Sequence, residues 1–377
     1  MNNYWGKIKN SYYWNKMKIL RENENNRKSI FISQEIPNFF VNKNNYDLKI
    51  SSNYSFSENE LKQISIFYKR NYKIENDNAI FVEFETLKNF LNLNSEIVVI
   101  YKEERIIGMM ISILIPFNVN TDLSKDVLIP SSERFKLYTD EKNMLGACSS
   151  FLVIDRKYRK KGFGMSLIQE SLQILHKIGG ISAYFLNTVS RCKNSIKVNV
   201  WRFPLDLDKL DKCKFNYPKN YKSLFQIKTG EENIEIVDEK NLQIAYNFYI
   251  NYIKNKKINF LPNLDYWAKW IKVFPTYIIQ GKEIKGIFSF YNNIINYPKY
   301  NENINTGYLL FCLGENTLKN SLNVAKKLFD ILIFYETGDI NINEIKKIFA
   351  QKIKERFINF YNINLFLNPG EFYCPIF

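Results

Sequence analysis

The sequence predicts a mixed α/β fold, α+β in class, made of two successive halves that form one pseudo-symmetric unit, each a mixed twisted sheet flanked by helices. Three observations predict it. Strand-like apolar runs alternate with amphipathic helical stretches along the chain. The order helix, hairpin, strand, helix starts again after about residue 232. Hydrophobic residues make up 46% and aromatics 16% of 377 residues, enough to fill a core of that size.

Residues 1 to about 50 are polar and irregular, broken by aromatic islands at Tyr12-Tyr13-Trp14 and Phe39-Phe40. They read as an arm lying over a surface or a ligand. In ENELKQISIFYKRNY, Leu61, Ile64, Phe67 and Tyr68 share one helical face. EIVVIYK and RIIGMMISILI, parted by Glu103 and Glu104, read as a hairpin. A loop rich in Ser, Asp and Pro leads to the strand SSFLVI, a basic turn, and the helix GMSLIQESLQILHKIGG. That helix sets Met165, Ile168, Leu172 and Leu175 on one stripe and stops at Gly179-Gly180. The strand ISAYFLN follows, then a polar connector over 205–232. In the second half NLQIAYNFYINYIKN has a helical stripe, TYIIQGKEIKGIFSFY reads as a hairpin, TGYLLFCL as a strand and LKNSLNVAKKLFDILIFY as a helix. No short-period repeat is visible.

Composition narrows the chemistry. No apolar run approaches the ~18 residues that span a bilayer, and the polar start does not resemble a secretory signal. A soluble, cytoplasmic protein is expected. The five cysteines (Cys148, Cys192, Cys213, Cys312, Cys374) are scattered, odd in number and without a CxxC pair, which points to reduced thiols rather than a disulfide framework or zinc site. His176 is the one histidine and sits mid-helix, so Ser/His hydrolysis, Cys/His hydrolysis and His-ligated metals are set aside. The formal charge of +15 comes from lysines spread along the chain, with no basic tail or arginine-rich arm, and nucleic acid is not an expected partner.

The stretch Arg159-Lys160-Lys161-Gly162-Phe163-Gly164 has the form R-x-x-G-x-G between a strand and a helix. Glycines let backbone N–H groups turn inward, and a helix N-terminus adds partial positive charge, so a pyrophosphate fits there. On the string alone an ordinary basic turn is the competing reading. With a hairpin and a strand before it and an amphipathic helix after it, the turn resembles that of the GNAT acyltransferase fold. The resemblance implies an acyl-CoA ligand, with amides of the central strand polarising the thioester.

Further stretches carry a sharper resemblance. These are YYWNK, NYKIENDNAIFVEF, SFLVIDRKYRKK and VWRFPLDLDKLDKCKF in the first half, and GIFSFYNNIINYPKY and TGYLLF in the second. In order and spacing they are similar to the eukaryotic N-myristoyltransferase family, a tandem of two GNAT-like halves. The resemblance implies transfer of a myristoyl group from myristoyl-CoA to the N-terminal glycine amine of a protein or peptide. No permanently bound cofactor or metal is implied, myristoyl-CoA being a co-substrate. Backbone N–H groups of Phe151 and Leu152 would form the oxyanion hole, and the C-terminal carboxylate of Phe377 would be the base. Tyr12, Tyr13, Trp14, Val153, Arg159, Lys160, Lys161, Gly162, Phe163 and Gly164 would hold CoA. Tyr72, Glu75, Asp77, Ile80, Val82, Phe84, Ser150, Trp201, Arg202, Ser289 and Tyr308 match peptide-groove positions, Glu75 and Asp77 receiving a basic residue. From the residues alone those two acids are equally a solvated loop.

The chain departs from the family pattern in places. Its acidic cluster has one charge fewer, Ser150 replaces an Asn, and Arg202 replaces a groove His. The expected organisation is an arm over the CoA site (1–50), an acyl-CoA-binding half (51–215) and a degenerate half that completes the groove (216–377), acting as a monomer. The alternatives are a GNAT-type enzyme with another acyl chain or amine acceptor, and an inactive module that captures acyl-CoA or myristoylated peptide.

Overall fold

Local sequence chemistry sets the first elements. Helix α1 (Glu58–Asn71) opens on a capping box: the Ser57 hydroxyl accepts from the Glu60 N–H while the Glu60 carboxylate accepts from the Ser57 N–H. Lys69 and Arg70 occupy its last turn, where the helix dipole favours cations, and Leu61, Ile64, Phe67 and Tyr68 are buried as the stripe predicts. The computed structural model describes residues 46–377 apart from 53, 74–77, 94, 121–143, 178–181, 189, 191–193, 218–232, 341, 349 and 362–366. Tyr12, Tyr13, Trp14, Glu75, Asp77 and Cys192 lie outside the described residues.

Around α1, the first half contains β1 (Asp47–Ile50), β2 (Ala79–Phe81), α2 (Phe84–Asn92), β3 (Glu96–Lys102), β4 (Arg105–Val119), β5 (Met144–Ile154), α3 (Phe163–Lys177), β6 (Ser182–Asn187), β7 (Ile196–Pro204) and α4 (Leu207–Lys212). The second contains β8 (Asn233–Ile236), α5 (Leu242–Ile253), β9 (Ile258–Phe260), α6 (Leu264–Val273), β10 (Thr276–Gln280), β11 (Ile284–Tyr297), β12 (Glu302–Gly314), α7 (Thr317–Leu328), β13 (Ile331–Tyr335), α8 (Ile342–Lys347), β14 (Gln351–Tyr361) and β15 (Phe372–Tyr373).

β3 and β4 are buried along almost their whole length, the pattern of strands covered on both faces. Glu103 and Glu104 join them with φ of 50° and 62°, a paired left-handed turn whose twist matches that of the strands.

The strands form one mixed sheet, with the main path β1-β3-β4-β5-β6-β14-β7-β13-β12-β11-β10-β8. If β1 is matched with β8, β3 with β10, β4 with β11, β5 with β12, β6 with β13 and β7 with β14, this order reads the same from either end. The halves also exchange strands: β2 pairs with β11, β9 with β4, and β14 lies between β6 and β7. Aromatic packing fills the space over the sheet, where Tyr249 stacks on Trp267 at 4.4 Å and Phe260 and Phe274 flank Trp270 at 4.6 and 4.4 Å.

Three expectations are corrected. The predicted final helix stops at Leu328, and ILIFY is a buried strand parallel to β12, because the Asp330 backbone turns to bond Asn305, Leu205 and Asp206. The connector after 205 begins with a helix, α4, capped by the Asp206 side chain. Asp47–Ile50, expected to be irregular, is a strand paired antiparallel with β3. Among the described residues no helix is long and apolar enough to cross a membrane.

Because each half completes its sheet with strands of the other, neither is expected to fold alone. Residues 1–217 and 218–377 expressed separately should lack dispersed amide spectra, whereas the intact chain should unfold in one transition followed by circular dichroism. A well-dispersed spectrum from either half would contradict this.

Candidate active site

The site begins where two parallel strands part. Among the described residues β5 and β6 pair through three positions, Gly146 with Ser182, Ala147 with Ala183 and Cys148 with Tyr184. Beyond them only the other edge of β6 stays paired, with β14, Phe185, Leu186 and Asn187 facing Asn359, Ile358 and Phe357. A wedge opens between β6 and the rest of β5.

At that wedge β5 bulges. Met109 faces Val153 and Ile111 faces Ser150, so Phe151 and Leu152 together oppose Met110. A bulge leaves one residue outside the ladder, freeing backbone groups for another partner. Phe151 holds φ 56°, a left-handed conformation that costs a bulky residue about 1–3 kcal/mol and concentrates at functional sites. Its ring is held by Phe90 at 5.5 Å and by Tyr68 and Tyr291 at 6.1 Å each.

The bulge faces a cavity of about 520 Å³, within the usual range for small-molecule sites. One part of its wall is apolar, with Met110, Ile168, Leu172, Ala183 and Phe185. Another carries the phenols of Tyr68, Tyr72, Tyr291, Tyr308 and Tyr335. Burial pushes all five above the ordinary tyrosine range, so they remain neutral hydrogen-bonding groups near pH 7. Phe377 enters the same cavity, its ring 5.2 Å from Phe274 and 5.9 Å from Trp270 and Tyr291. Beneath it, burial raises the Cys148 thiol to about 11, against hydrogen bonds from Ser150, the Phe377 backbone and Tyr184.

No protein-family model matches this sequence, and no curated protein matches it. Solved structures do. A crystal structure of Saccharomyces cerevisiae N-myristoyltransferase with bound myristoyl-CoA covers 96% of this chain and 94% of its own at TM-score 0.76 and 13% identity. The chain has the N-myristoyltransferase fold. A second structure of the yeast enzyme with myristoyl-CoA gives TM-score 0.76 at 12% identity, covering 96% of this chain and 90% of its own. A third, with inhibitors also bound, gives 0.76 at 13%, covering 98% and 95%.

Within this N-myristoyltransferase fold, the cavity brings together Phe151, Leu152, Phe377, Ser150, Tyr72, Ile80 and Tyr308 of the predicted residues. The other groove candidates lie off its wall. Val82 is buried in the core, and Ser289 is fully buried, bonded to Thr276 and the Phe274 carbonyl. Phe84 starts α2 beneath the ammonium groups of Lys62 and Lys88, at 5.3 and 5.9 Å. On β7 it is Val200 that lines the cavity. Trp201 donates to Glu336, while Arg202 donates to Gln351 and to the Asn216 carbonyl and stacks 4.3 Å over Phe215.

The predicted CoA residues form one joint, between β5 and α3. Val153 is buried under it. Arg159 gives its Nε proton to the Ile154 carbonyl and an Nη2 proton to the Asn71 carbonyl, at 3.0 and 2.9 Å, tying the turn to the end of α1. Lys160 has φ 66°, and the Lys161 ammonium sits 5.3 Å from the Tyr158 ring. Gly162 takes φ +90°, which glycine alone adopts freely, and its carbonyl accepts the first helical bonds, from Met165 and Ser166. The N–H groups of Phe163 and Gly164 precede those bonds, at the positive end of the helix.

Sequence reasoning missed Tyr68, Tyr291, Asn293, Tyr335, Lys354 and Arg356, all of which line the cavity. Tyr68 was hidden in a core stripe and Tyr335 in a stretch assigned to a helix. β14, which carries the last two, alternates too weakly to announce itself.

Stability from the buried phenols is present in full below about pH 10, the ordinary tyrosine pKa, and is lost as pH rises above it, because the unfolded chain ionises first. The melting temperature should hold up to about pH 9 and fall above about pH 10. A fraction of the phenolate absorbance should appear only with loss of the far-ultraviolet signal. Complete phenol ionisation with the fold intact would contradict the burial.

Proposed function

We propose that the protein is an acyltransferase that moves a myristoyl group from myristoyl-CoA to the N-terminal glycine amine of a protein or peptide. The observation that carries this reading is the meeting of the strained Phe151–Leu152 bulge and the chain's Phe377 in one cavity of an N-myristoyltransferase fold. The acyl chain occupies the apolar part of the wall, and the peptide enters along the tyrosine side. CoA phosphates meet the α3 N-terminus, with Lys160 and Lys161. Arg159 already spends two donors on carbonyls and serves mainly to hold the turn.

The amine nitrogen attacks the thioester carbon, and the N–H groups of Phe151 and Leu152 stabilise the oxyanion that forms. The carbon–sulfur bond then breaks, the CoA thiolate leaves, and the ammonium proton passes to a base. A free α-amino group has a pKa near 8, so a modest base suffices, and the Phe377 carboxylate fills that role. Neutral tyrosines around it orient the acceptor without competing for the proton.

Free CoA release should be seen with myristoyl-CoA and a peptide beginning Gly-x-x-x-Ser, and not with acetyl-CoA or an Ala-first peptide. Turnover with a different acyl chain or amine would place the enzyme elsewhere among GNAT-type acyltransferases, and tight myristoyl-CoA binding without turnover would mark a capture module. Removing Phe377 should lower kcat about a hundredfold or more while KM for myristoyl-CoA holds. An equal loss in affinity would count against the carboxylate as base.

A further inference from the structure

The palindromic sheet has a second wedge equivalent to the first. β12 and β13 pair through three positions only, Thr306 with Ile331, Gly307 with Leu332 and Tyr308 with Ile333, while the other edge of β13 stays paired with β7 as far as Tyr335. β12 bulges at the matching place, with a register shift between Ser289 and Phe290 on its partner. The first wedge holds a cavity of about 520 Å³, and the second about 20 Å³, room for about one water. The difference is filled by the chain itself: Phe372, Tyr373, Cys374 and Ile376 line what remains of the second wedge, against Leu309 and its neighbours on β12.

We propose that the second wedge is a sleeve for the C-terminal segment, and that Asp339, which grips Tyr373 there, is a positioning residue that sets where Phe377 stands at the first cavity. Asp339 accepts from the Tyr373 hydroxyl at 2.7 Å, the Tyr252 hydroxyl at 2.6 Å and the Gly314 N–H at 3.4 Å, so it ties the tail to α5 and to the end of β12. Lys256 lies 3.9 Å from the carboxylate and 4.9 Å from both phenol rings. Gly338 completes the grip: its φ is +57°, its N–H donates to the Pro369 carbonyl, and an added Cβ would press the Tyr373 ring at 3.1 Å.

From Tyr373 the tail crosses into the first half. The Tyr184 hydroxyl donates to the Pro375 carbonyl at 2.6 Å, and Tyr184 stands at the last parallel pair of the first wedge, opposite Cys148. Phe377 therefore hangs just beyond two fixed points, at Tyr373 and at Pro375. It lies four positions after Tyr373, about 13 Å when extended, so slack at the grip is passed along a short tether. A displacement of about 1 Å at a reacting centre can cost a hundredfold.

The inference rests on the proposed role of Phe377 for its catalytic consequence, but not for the grip itself. Tyr373→Phe keeps the ring and removes the bonded hydroxyl, and Asp339→Asn keeps the shape and removes the charge. In either variant, amide hydrogen exchange over residues 372–377 should quicken about tenfold. With myristoyl-CoA and the glycine peptide, kcat should fall about tenfold with KM for myristoyl-CoA unchanged. In a chain lacking Phe377 the same substitutions should cost kcat nothing more. Unchanged exchange and kcat would overturn the proposal, as would an equal kcat loss with and without Phe377. If the parent chain transfers no acyl group, the exchange measurement still decides the grip, and the transferase reading is what has failed.

Discussion

One constraint shapes the molecule: β14 is driven between β6 and β7. β6 pairs with β14 from Ala183 to Asn187 but with β5 through only three described positions, and β13 likewise pairs with β7 from Ile331 to Tyr335 but with β12 through three. Each wedge opens on the other edge of a strand held in this exchange. The backbone polar groups freed where strands part need partners, and a ligand or another segment of chain is what supplies them. In the first half that space is a cavity; in the second it is taken by the tail.

The proposed chemistry needs little from side chains, which accounts for a protein with a single histidine. In that proposal the bulge supplies backbone donors, the tail brings the base, and buried phenols contribute hydrogen bonds without charge. Burial is the common cause. It holds the tyrosines and the Cys148 thiol protonated near pH 7, and packs the Phe151 ring against Phe90.

Much of this was legible in the sequence. Both hairpins, α1, α3 and the placing of Phe151, Leu152 and Gly162 at a strand-to-helix joint followed from periodicity, glycine chemistry and family resemblance. What stayed hidden is non-local. ILIFY continues a helical stripe, and a short apolar run does not declare its state until a parallel neighbour is known. QKIKERFINFY mixes charge and apolar residues because one end lines a cavity while the other is core, so β14 and its cavity residues Lys354 and Arg356 could not be found by pattern. Arg202 and Ser289 were picked by correspondence, yet their hydrogen bonds go to Gln351, Thr276 and backbone carbonyls, none of them visible from spacing.

The strand exchange also sets a clock on synthesis. β7 is made early, yet its partners in the sheet, β13 and β14, both belong to the second half, and β14 begins about 150 residues later. At roughly 5–20 residues per second the ribosome takes about 8–30 s to deliver it, and for most of that time β7 waits with both edges unpaired. Those seconds are when the nascent chain is open to wrong pairing, and a cell that makes this protein in quantity has to shelter it through them.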